Sequence, residues 1–140
     1  MQLLVNIDVP DLAEAERFYI DAFGLKPGRR FDGTVELLGL DAPLYLLARP
    51  AGTEAAPAQG TFRHYARHWT PVHLDFVVED IDAAVKRATD AGARLESAPR
   101  SAIWGTIALL SDPFGNGFCL IAFTEGGYDA IARPENPPAY

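Results

Sequence analysis

The feature that most constrains this chain is an internal repeat. Residues 4–12, LVNIDVPDL, lie over residues 73–81, HLDFVVEDI, at an offset of 69 residues. Val5 meets Leu74, Ile7 meets Phe76, Val9 meets Val78 and Asp11 meets Asp80; Ala15/Ala84, Asp21/Asp90 and Ala22/Ala91 keep the same step. The 140 residues therefore divide into two modules of about 65–70 residues each, within the length of one ordinary domain.

Each module opens with apolar residues at alternate positions, the period of a half-buried strand. Val5, Ile7 and Val9, and in the second copy Leu74, Phe76 and Val78, should pack on a helix. Asn6, Asp8, His73 and Asp75 fall on the opposite face. Asp8, near the strand end, is expected to be exposed. A helix follows in each copy. Asp11 and Asp80 are N-cap candidates, Gly24 and Gly92 the stops, and Leu12, Ala15, Phe18, Tyr19, Ala22 and Phe23 form a 3–4 spaced stripe. Three short strands complete each module, near 26–31, 33–38 and 43–49 in the first and 94–98, 104–110 and 117–123 in the second. The turn DPFGNG joins the last two. Each module reads βαβββ. The organisation is a first module over 1–49, a linker over 50–69, a second module over 70–124 and a proline-containing tail over 125–140. The tail is expected to be loose or to drape over a neighbouring surface.

Composition narrows the function. With 12 basic against 19 acidic residues and no Lys/Arg run, a nucleic-acid backbone is not an expected partner. No apolar run reaches the length of a membrane span. The early polar residues Asn6, Asp8 and Asp11 argue against a secretory leader. Cys119 is the single cysteine, so no intrachain disulfide can form, and a reducing cytoplasmic setting is expected.

The stretches VPDLAEAERFYIDAFGL (9–25), HLDFVVEDIDAAV (73–85) and DPFGNGFCLIAF (112–123), in this order on a paired βαβββ pattern, resemble the vicinal oxygen chelate superfamily. Its members include glyoxalase I, the extradiol dioxygenases and the bleomycin-resistance proteins. The resemblance implies an α+β fold of two tandem modules whose curved half-barrel sheets enclose a cavity, within a chain or across a homodimer. It also implies four metal-ligating positions, two per module. Here they fall on Leu4, a position near Leu46, His73 and Cys119. Leucine has no lone pair, so the expectation is no metal. If one binds, His73 and Cys119 would hold it, with Asn6 and Asp75 one strand step away.

Several residues carry two readings. His73 is either a general base or ligand hydrogen-bond donor, or a histidine satisfied by a neighbour such as Asp75. Asn6 and Asp75 occupy equivalent places and either anchor a polar ligand or close a polar network. Cys119 is a small buried hydrophobe or a thiol activated by His73. Trp104 is a candidate platform for a flat ligand, while Trp69, Tyr45, Phe114 and Phe118 are assigned mainly to core or rim. His64 and His68, four apart, would share a helix face and are placed at the surface or an interface. The leading function is binding of a small flat or cationic molecule without metal, with Leu4, Asn6, Leu46, His73, Asp75, Trp104 and Cys119 at the site. The alternatives are a lyase, isomerase or dioxygenase-type enzyme using an atypical metal set or His73 as acid/base, and a non-catalytic structural or regulatory dimer.

Overall fold

A computed structural model describes residues 1–133. The first module runs β1 (Val5–Val9), α1 (Leu12–Phe23), β2 (Lys26–Phe31), β3 (Thr34–Leu38) and β4 (Leu44–Ala48). The second runs β5 (Leu74–Val77), α2 (Ile81–Ala91), β6 (Arg94–Ala102), β7 (Gly105–Ser111) and β8 (Gly117–Phe123), with a short 3-10 turn at Gly127–Ala130. Two open four-stranded sheets result, ordered β1-β4-β3-β2 and β5-β8-β7-β6. The first pair in each order is parallel and the others antiparallel. The architecture is the expected repeated α+β one. Among the described residues no helix is long and apolar enough to cross a membrane.

Local chemistry sets the helix ends. Asp11 Oδ1 accepts from the Glu14 amide at 2.9 Å, and Asp80 Oδ1 accepts from the Ala83 amide at 3.0 Å. Gly24 ends α1 in the left-handed region at φ +69°. The pleat then sorts the strands. Ile7 pairs with Leu46, and Val35 pairs with Leu46 from the other side. These side chains share the face that packs on α1, so the core gathers Val9, Phe18, Val35, Leu37, Leu44 and Leu46. In the second module Phe76, Ala108, Leu110, Phe118 and Leu120 occupy the equivalent face.

The modules are fastened through their helices and aromatic rings. Helices α1 and α2 pack together. The ring of Phe23 stacks on Phe76 with centroids 4.0 Å apart. Tyr19 Oη donates to Asp112 Oδ2 at 2.8 Å, and the other Asp112 oxygen accepts from the amides of Phe114 and Asn116. The Asp112 carboxylate thus closes the DPFGNG turn and receives the first module's tyrosine. Burial, and then the Asp112 charge, holds the Tyr19 hydroxyl well above its ordinary pKa.

The linker is built rather than slack. Glu54 and Phe62 form an antiparallel bridge inside a small hairpin, and Arg63 and Thr53 pair amide to carbonyl at 2.9 Å. Further on, the His68 amide donates to the Gly115 carbonyl at 3.1 Å. No helix forms there, so the i, i+4 helical relation of His64 and His68 does not apply. The segment is spent on bridges to the turn before β8. As far as it is described, the C-terminal segment packs on the second module through Tyr128, which contacts Phe123 and Trp104. Residues 134–140 of the expected tail lie outside the described residues.

Candidate functional site

Strands β1 and β5 are the edge strands of their sheets. Between them, under the linker, lies a cavity of about 640 Å³, a size that suits a small organic ligand. Its apolar walls come from Val5 and Ile7 of β1, Leu74 and Phe76 of β5, Phe118 of β8 and the ring of Tyr19. The linker contributes Arg63, His64, Tyr65 and His68, and His73 stands at the entry to β5. Asn6 and Asp8 complete the polar part of the wall.

Asp8, expected to be exposed, is half-buried because Arg63 Nε reaches its carboxylate at 2.6 Å. Arg63 also donates to the carbonyls of Glu54 and Ala55, which anchors the hairpin over the cavity. Tyr65 Oη donates to the Arg49 carbonyl at 2.6 Å. These groups are already partnered, so they shape the wall.

A second cluster lies on the sheet face turned away from the helices. Asp75 pairs in register with Cys119, and His73 Nε2 stands 3.4 Å from Asp75 Oδ1. Ligating atoms of His73, Asp75 and Cys119 all lie within 4.8 Å of one another. Burial, and then the Asp75 charge, pushes the Cys119 thiol up to about 12. It is a protonated, buried group there and not an activated nucleophile. Trp69 packs edge-on to His73 at 5.6 Å and carries the Arg67 guanidinium on its face.

The equivalent place in the first module is filled differently. Asn6 pairs in register with Tyr45, so Tyr45, not Leu46, is the counterpart of Cys119. Tyr45 Oη donates to Glu36 Oε1 at 2.7 Å and accepts from Arg29 Nη2 at 2.6 Å. Arg29 is bidentate on Glu36, at 2.9 Å and 2.6 Å. Its hydrogen bonds hold the Glu36 carboxyl down to about 2. This Arg–Glu–Tyr group was not foreseen. LYLLA carries no signal for it, since both its faces are apolar and a shift of one residue exchanges them.

Several expected site residues therefore stand elsewhere. Leu46 is fully buried under α1, because its pairing with Ile7 fixes it on the helix face. Leu4 precedes β1, is 46% exposed and does not line the cavity. Trp104 sits in the turn between β6 and β7, where Tyr128 and Phe123 cover its ring. Asn6 and His73 do line the cavity, whereas Asp75 and Cys119 sit on the adjoining sheet face.

The superfamily's metal needs donors from both modules. Leu4 has no lone pair, Leu46 is core, and the Tyr45 hydroxyl is committed to Glu36 and Arg29. The two-per-module donor set is thus absent from these residues. What the second module offers alone is an imidazole, a carboxylate and a thiol, types that zinc accepts at about 2.0–2.3 Å.

Comparison with known proteins agrees with the fold. The chain is 32% identical over 130 residues to the anthracycline biosynthesis protein DnrV of Streptomyces peucetius; the match covers 91% of this chain and 43% of DnrV. The chain thus spans less than half the length of this relative. It is 30% identical over 130 residues to the uncharacterized protein Mb0911c of Mycobacterium bovis, covering 82% of this chain and 78% of that one. Among solved structures, a glyoxalase/bleomycin resistance protein/dioxygenase family enzyme from Burkholderia phytofirmans PsJN superimposes with TM-score 0.67 at 22% identity, covering 86% of this chain and 97% of that one. The fosfomycin resistance protein FosX from Listeria monocytogenes gives TM-score 0.68 at 16% identity, covering 89% and 94%. Residues 4–121 match the glyoxalase-like domain, and with the repeated modules this makes the chain a member of the glyoxalase-like family of the vicinal oxygen chelate superfamily.

Proposed function

We propose that this protein binds a flat, largely apolar small molecule in the cavity between β1 and β5, without the superfamily's metal. The observation that carries the reading is the cavity itself: about 640 Å³ with aromatic and aliphatic walls and a few polar groups at one side. The DnrV name supports an aromatic ligand class, since that relative belongs to anthracycline biosynthesis. A cationic ligand loses support, because the Asp8 carboxylate on the wall is already paired with Arg63. A homodimer in the cytoplasm, with no nucleic-acid or membrane partner, belongs to the same proposal.

Calorimetric titration with 1,8-dihydroxyanthraquinone tests it. Saturable binding is expected, and Val72→Trp should abolish it, because Val72 lines the cavity yet is 79% exposed and can change without disturbing the core. Failure of a panel of flat aromatic compounds to bind would move the weight to a structural or regulatory dimer. A second reading, a metal-assisted or His73-based enzyme, is favoured by the closeness of His73, Asp75 and Cys119. Stoichiometric zinc binding that is lost in Cys119→Ser would establish its metal-dependent form.

A further inference from the structure

All three histidines of the chain line one cavity. Two of them, His64 and His68, come from the linker, outside the repeated modules. Their rings lie 5.0 Å apart, tilted by 58°. His68 Nδ1 is 2.7 Å from the Ala66 carbonyl oxygen. A carbonyl can only accept, so Nδ1 carries the hydrogen and Nε2 is the atom left for another partner. The His68 backbone is held on Gly115, which fixes the ring's base.

We infer that His64 and His68 form a carboxylate subsite, and that the ligand class is a flat aromatic acid whose ring system lies against the apolar wall. The inference rests on the cavity reading above.

The charges facing the pair support this assignment. From β1, Asp8 is neutralised by Arg63 of the linker. From the start of β5, His73 faces Asp75. Tyr65 donates to Arg49 and Tyr19 donates to Asp112. Among the described residues lining the cavity, no unpaired carboxylate faces His64 and His68. Two adjacent imidazoles repel each other once protonated, and an anion between them relieves that repulsion while accepting from both. A metal bound by the three histidines is a poorer account. Among the described residues the donor atoms that come together are those of His73, Asp75 and Cys119, without His64 or His68.

Titration calorimetry with two probes, anthraquinone-2-carboxylate and its carboxamide, near pH 6 and near pH 8, tests the subsite. The acid stays ionised over this range, so a change in its affinity reports on the groups that face it. The acid should bind about tenfold more tightly near pH 6 than near pH 8, and the carboxamide equally at both. In the His64→Gln/His68→Gln protein the acid should lose its pH preference. Continued carboxamide binding there shows that the cavity is intact. Acid binding that does not vary with pH, or a preference that survives in the double variant, overturns the subsite and leaves the cavity reading standing. If neither probe binds the unaltered protein, the cavity reading and the subsite fall together.

Discussion

Glu36 is a buried carboxylate, and it stays ionised because its hydrogen-bond partners are all donors. Arg29 supplies its backbone amide and two guanidinium hydrogen bonds, and Tyr45 supplies a hydroxyl. Gly28 makes room for the group: a Cβ there would come within 2.6 Å of Glu36 Oε2. The carboxyl is held at about 2, below the roughly 4.3 of an unfolded chain. A depressed pKa contributes stability above the unfolded value and loses it as pH falls through the folded one. The native protein should therefore lose stability between about pH 4.3 and pH 2, and Glu36→Gln should flatten that limb. Urea titrations at stepped pH read both; an unchanged acid limb in the variant would show that Glu36 does not titrate there. None of this trio was legible as a site, because each member is an ordinary strand residue until the register brings them together.

At the scale of elements, both helices, their caps and nearly every strand were legible, since each rests on a local signal: alternation, a 3–4 stripe, an Asp cap or a Gly stop. The strand β6 extends past the expected end to Ala102 and carries two register shifts, which depend on its partner and leave no mark in its own residues. The assignment near Leu46 failed for a related reason. In LYLLA both faces are apolar enough to be core, and only pairing with β1 settles which one meets the helix. The linker was the hardest to read, because its order comes from distant contacts. Gly115 shows the dependence. Its φ is +88°, and a Cβ would stand 2.5 Å from the Ala66 carbonyl oxygen. Gly115→Ala should cost about 1–3 kcal/mol and loosen the segment carrying His64 and His68. Denaturation midpoints and amide exchange at 64–68 check this; wild-type exchange in the variant would mean that the linker is held by other contacts.

For the whole molecule, the repeat explains why the cavity exists. Each module opens with a strand that takes an edge of its sheet, β1 or β5, and these two edges set side by side without mutual hydrogen bonds leave a seam. The helices and the Phe23–Phe76–Phe118 rings close that seam on one side, and the linker closes it on another. The cavity is thus a property of the join: of the expected site residues Asn6 and His73 line it, while Asp75 and Cys119 sit on the adjoining sheet face. Phe23 lies at the join from the first module and Phe76 from the second, so truncating Phe23 removes contacts between modules as well as those with Phe18 and Tyr19 of its own helix. Phe23→Ala should cost about 3 kcal/mol and weaken binding of the anthraquinone probes together with stability, whereas Val72→Trp should remove binding alone. Paired urea and calorimetric titrations of the two variants separate these effects. If Phe23→Ala lost stability but bound the probes with unchanged affinity, the ring stack would be holding the core and not the shape of the seam.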